Sequence, residues 1–141
     1  GDEASLLYLY QNLGERLRQA CMGWEAAVFT GALYGPELAT AYASMDVFVH
    51  PGEHETFCQA VQEAMASGLP VVAAADGGYQ EQIMSGVDGF LVHEQQDALQ
   101  ALQTLVASAA LRHRVGAAAR ARAVEVHGPH AIDQMASHYL V

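Results

Sequence analysis

Residues 46–73, DVFVHPGEHETFCQAVQEAMASGLPVVA, are the stretch with the fewest ways to fold. The short apolar run Asp46-Val-Phe-Val-His50 stops at Pro51-Gly52. Such a run, cut by Pro-Gly, reads as a buried strand. Residues 56–67 have helical spacing and end at Gly68, with Pro70 behind it. Glycine past the last helical residue, then proline, is a stop signal. Val71-Val-Ala-Ala74 follows as a second buried strand. A strand, a helix and a second strand in this order predict a parallel pair joined by a crossover.

The alternation extends in both directions. Residues 6–22 have helical spacing, and residues 27–30 form a short buried strand closed by Gly31. Residues 36–44 are a short helix with Pro36 in the first turn, where its missing amide costs nothing. After Gly77-Gly78 come a short helix at 79–84 and a last strand at 89–92. Helices are expected over 95–108, 111–127 and about 129–139. The fold class is α/β, a Rossmann-like parallel sheet with flanking helices.

At 141 residues, 52% hydrophobic and 16% charged, the chain is expected to form one globular domain over 1–141. No apolar run is long enough to cross a bilayer, and no signal peptide opens the chain. Two cysteines, Cys21 and Cys58, are too few for a disulfide framework, so a cytoplasmic setting is expected. The alanine-rich composition suggests a bacterial source of high GC content. The net charge is −10, there is no lysine, and no arginine lies between Arg18 and Arg112. This excludes a P-loop, which needs its lysine, and argues against nucleic-acid binding, which needs a basic footprint.

The polar residues gather at the helix of 56–67. On a helical wheel Phe57, Ala60, Val61, Ala64 and Met65 make the apolar stripe, while Glu55, Gln59 and Glu63 fall opposite it. The two acids are roughly 12 Å apart along the axis, beyond the spacing of paired glycosidase carboxylates. The free amides of Thr56, Phe57 and Cys58 open the helix, and a helix N-terminus attracts anions. Ligands of open α/β sheets bind outside the carboxyl ends of strands, where this helix begins. An anion between two hydroxyl-binding carboxylates describes a nucleotide sugar. The bland alternative is a solvated helix face.

The chain resembles the C-terminal, donor-binding domain of retaining GT-B glycosyltransferases of family 4, also called glycosyltransferase group 1. The resemblance runs through Val28-Phe-Thr-Gly31, residues 38–51, residues 55–73, Gly77-Gly78 and residues 86–92. Glu55 and Glu63 stand where that family has its E-x7-E pair. The resemblance implies that Glu63 takes the ribose hydroxyls of the donor. It implies that Glu55 is catalytic and contacts the transferred sugar. The amides of Phe57 and Cys58, next to Thr56, would meet sugar and diphosphate. Gly31 would frame the base, and Gly77 and Gly78 would let backbone approach the ligand. No metal and no cofactor is implied beyond the donor substrate, GDP-mannose or a UDP-hexose. Phe57-Cys58-Gln59 and Gln62 before Glu63 resemble the mannosyltransferase branch that uses GDP-mannose.

Two departures shape the expectations. The family domain opens with strands and an Arg/Lys pair ahead of what Gly1-Asp2 would match, so the first two strands, both cations and the N-terminal acceptor domain are expected to be missing. Membrane contact would then come only through that absent domain. A homodimer, with the 27–30 strand paired directly to the 46–50 strand, is the favoured way to cover the exposed sheet. The rival readings are a non-catalytic nucleotide-sugar-binding module and an assembly module derived from such a domain. His50-Pro-Gly-Glu53-His54 matches a zinc-peptidase string, but Pro51-Gly52 breaks the helix that the string requires. Cys58 reads as a packing residue, and His127 and His130 as flanks of a turn between helices.

Overall fold

The computed structural model describes residues 28, 30–50, 59–75 and 82–140. The chain divides into two compact units, Gly1–Leu33 and Tyr34–Val141. In the first unit, Val28 and Thr30 lie outside any strand, and Val28 is exposed. The buried strand expected at 27–30 is therefore not formed at those two positions. Ala27, Phe29 and the helix expected at 6–22 lie outside the described residues.

The second unit runs α1 (Gly35–Ser44), β1 (Phe48–His50), α2 (Gln59–Ala66), β2 (Val71–Ala74), β3 (Phe90–Val92), α3 (Gln95–Ala107) and α4 (Ala109–Leu140). The strands form a parallel sheet in the order β1-β2-β3, with Val49 beside Val72 and Ala73 beside Leu91. Among the described residues the ladder ends at β1 on one side and β3 on the other. Val71, Val72 and Ala73 of the central strand are fully enclosed, as an apolar strand covered on both faces must be. Helix α2 packs on β1, β2 and α4, while α3 packs on β2, β3 and α4.

Local chemistry sets the ends of these elements. Pro36 starts α1 as expected. Helix α2 ends where Gly68 turns to φ 77°, and the amides of Gly68 and Leu69 reach back to the carbonyls of Met65 and Ala64. Helix α4 crosses that turn at Gly116, where an added Cβ would overlap the Gly68 carbonyl oxygen. Ser108 caps α4, its Oγ accepting from the Leu111 amide at 3.1 Å. The long α4 breaks at Gly128, φ 79°, where the sequence predicts a division between two helices.

The turn into β3 is held by one buried acid. Asp88 accepts from the Met84 amide at 2.6 Å and from Arg122 of α4 at 3.2 Å. The short helix expected at 79–84 is not present at Gln82, Ile83 and Met84, which run as turn and loop; the preceding positions lie outside the described residues. Ile83 is instead a core residue pressed against Gly89. Tyr42, Val61, Ala64, Met65, Val71 and Ala119 make the centre of the core between sheet, α1, α2 and α4.

Candidate functional site

A parallel sheet gathers its strand ends, and here the carboxyl ends of β1, β2 and β3 open into a groove of about 370 Å³. His50, Ala74, Val92, His93 and Glu94 line it, with the first turn of α3 as its far wall. Of the residues expected to bind a ligand, Glu55, Thr56, Phe57, Cys58, Gly77 and Gly78 lie outside the described residues. Gly31 belongs to the first unit, where it takes φ 68°, a left-handed conformation natural to glycine.

Glu63 is where the structure departs from the helical wheel. The wheel puts it on a polar face opposite the apolar stripe. In the structure α2 is covered from several sides, and every residue of 61–66 is buried, with Gln62 at 5% and Glu63 at 9% exposure. Gln59 alone of the stripe within α2 remains exposed. The reason is tertiary. Helix α1 reaches over the face that a two-layer reading leaves open, and Tyr42 on α1 comes down onto it.

The Tyr42 hydroxyl donates to Glu63 Oε2 at 2.9 Å, in a buried setting. It also lies 3.5 Å from the Ala60 carbonyl oxygen, a much weaker partner. The tyrosine ring packs against Phe48 of β1 with centroids 5.9 Å apart, so the hydroxyl is held by the core and not by chance rotation. Burial pushes the Glu63 carboxyl up from its ordinary value, and the Tyr42 hydrogen bond opposes part of that rise by favouring the carboxylate. A carboxylate kept partly desolvated, with one oxygen taken, is suited to accept hydroxyl hydrogens from a neutral polyol face. Oε1 takes no hydrogen bond from any described residue.

Tyr42 escaped the sequence reading. The available signal was a lone aromatic hydroxyl in a helical stretch otherwise made of small residues, Ala-Thr-Ala-Tyr-Ala-Ser at 39–44. Among the described residues no three His, Cys, Asp or Glu side chains gather closely enough to hold a metal ion. No helix among them is long and apolar enough to cross a membrane.

Known proteins share the sequence and fold of this chain. The model of the family glycosyl transferases group 1 matches residues 11–122. The GDP-mannose-dependent alpha-mannosyltransferase of Mycolicibacterium smegmatis is 50% identical over 121 residues, covering 80% of this chain and 30% of that protein. The chain thus spans about a third of the length of such relatives. Among solved structures, Anabaena HepE in complex with UDP-glucose is similar at TM-score 0.75 and 28% identity, over 90% of this chain and 36% of that one. A different similarity is short and strong. Over 38 residues, 27% of this chain, the ribosomal RNA large subunit methyltransferase K/L of Pseudomonas putida is 92% identical, a stretch that makes up 5% of that protein.

Proposed function

The chain belongs to the glycosyl transferases of group 1, and from that premise we propose that its second unit is the donor-binding part of a retaining glycosyltransferase. The donor is GDP-mannose, in preference to a UDP-hexose. The preference follows the mannosyltransferase relatives near 50% identity over the UDP-bound neighbour at 28%. The observation that carries the reading is Glu63, a buried carboxylate with one oxygen held by Tyr42, on the helix that follows the first strand of a parallel sheet. That carboxylate takes the ribose hydroxyls.

Glu55 contacts the transferred sugar, and the backbone amides of Thr56, Phe57 and Cys58 meet the diphosphate. Gly77 and Gly78 give the ligand room against the backbone. The acceptor hydroxyl attacks from the face that the diphosphate leaves, so the anomeric configuration is kept. Stabilising the departing diphosphate is the largest catalytic contribution in such a reaction. Backbone amides ahead of α2 are suited to that role.

The test is calorimetric titration of GDP and UDP into the chain and into its Glu63→Ala variant. The expected outcome is tighter binding of GDP than of UDP, with a loss of about 1–3 kcal/mol on Glu63→Ala, the scale of a charged hydrogen bond. Equal affinity of the variant and the unaltered chain removes the ribose role.

A further inference from the structure

We propose that Tyr42 is the positioning residue of the donor site. It locks Glu63 Oε2 from α1, so that Oε1 alone is presented to the ribose hydroxyl pair. The inference rests on the donor-site reading of Glu63 and adds a second element to it. Two observations on different elements carry it. The hydroxyl of Tyr42 donates to Oε2 at 2.9 Å across 21 residues of sequence. The ring that bears this hydroxyl is itself fixed, 6% exposed and packed on Phe48.

A carboxylate free to spin about its last torsion presents either oxygen. One whose Oε2 is tied to a buried phenol does not, and a bidentate or paired-hydroxyl ligand gains from that fixed orientation. Three other ionisable groups on elements packed around α2 have partners of their own, among them Arg122 on Asp88. Arg120 of α4 donates to the Ala66 carbonyl, and His50 of β1 stacks on Phe48. Among the described residues, Tyr42 is the side chain that bonds the Glu63 carboxyl, setting its orientation and part of its proton affinity.

The experiment is a double-mutant cycle in the full chain, with GDP as the probe. Tyr42→Phe keeps the ring in the core and removes only the hydroxyl, and circular dichroism verifies that the fold is kept. The expected result is a loss of GDP affinity of about tenfold in Tyr42→Phe. In the Glu63→Ala background the same change is expected to have no further effect, because a positioning residue acts only through the group it positions. The Glu63 carboxyl carbon, followed by NMR, should titrate at higher pH in Tyr42→Phe than in the unaltered chain.

Additive losses in the cycle, or an unmoved Glu63 titration, overturn the positioning role while leaving the donor site standing. Undiminished GDP binding in Glu63→Ala, or no GDP binding to the unaltered chain, overturns the donor-site reading and the positioning role with it.

A separate observation carries a second inference. We infer that the chain is composite, with the 38-residue stretch shared with the methyltransferase forming its start and overlapping the glycosyltransferase part, whose family-model match opens at residue 11. The mannosyltransferase similarity leaves a fifth of the chain outside it. A stretch 92% identical to one protein and a longer, overlapping stretch 50% identical to another have diverged from their relatives to very different degrees. The structure divides at Leu33–Tyr34, close to the length of the short stretch. Every described strand and helix, and both acids of the E-x7-E pair, fall after that division.

On this inference Val28-Phe-Thr-Gly31 lies where the methyltransferase-like piece overlaps the family-model match. Sequencing the source DNA upstream of the Gly1 codon tests this. In-frame codons continuing the methyltransferase similarity support the composite chain. In-frame codons for the acceptor-binding half of a glycosyltransferase overturn it.

Discussion

Glu63 shows at the residue scale how one side chain couples stability to pH. Burial raises its folded pKa above the ordinary 4.5. The folded chain then holds this proton more tightly than the unfolded chain does. The stability from that proton is fully present below about pH 4.5 and is lost as pH rises through the folded value. Glu63→Gln keeps an acceptor for the Tyr42 hydroxyl and removes the charge. The variant is therefore expected to match the unaltered chain near pH 4 and to exceed it in stability at pH 7 to 8. Urea denaturation at both pH values measures this, and parallel pH profiles for the two proteins would refute it. Asp88 belongs to the same scale with the opposite environment, since both its oxygens are taken, by the Met84 amide and by Arg122. Two bonds to one buried carboxylate tie the turn before β3 to α4, 34 residues on.

Contacts between elements are as narrow as those between residues. Gly116 of α4 lies against the Gly68 turn that ends α2, and a Cβ at 116 would meet backbone, which cannot swing aside. Gly116→Ala is expected to cost about 1–3 kcal/mol by overpacking, although alanine is the better helix former. Thermal unfolding of the variant decides between the two effects, and a raised midpoint would show that the crossing has slack. The start of α4 depends on its cap. Ser108→Ala removes the Oγ that accepts from the Leu111 amide and should cost about 1 kcal/mol. An unchanged denaturation midpoint would mean that Arg112, which bonds the Leu105 and Val106 carbonyls, holds the α3–α4 corner alone.

For the molecule as a whole, the chain spans 30% of a mannosyltransferase that it resembles. On the proposed reading its second unit carries the donor-binding part of such an enzyme and the rest of the machinery lies in the other 70% of such a relative. The isolated 141-residue protein is therefore expected to bind GDP without transferring mannose, and turnover of labelled GDP-mannose by the pure chain would contradict this. What the sequence by itself determined is the run of elements from residue 36 to residue 128: three apolar strands between helices, with Pro36, Gly68 and Gly128 at the ends and breaks. Those features are local. Strand runs, helical spacing and glycine or proline punctuation act within a few residues, so a linear reading reaches them. It also singled out Glu63, as a proposed ligand-binding residue, through its spacing from Glu55. Only the tertiary structure decided the surroundings of Glu63. A helical wheel sorts residues by side and assumes one covered face, but α2 is covered on more than one face. Burial depends on what arrives from elsewhere, and the hydroxyl that meets Glu63 comes from Tyr42, 21 residues away on another helix, by a path that no local spacing records.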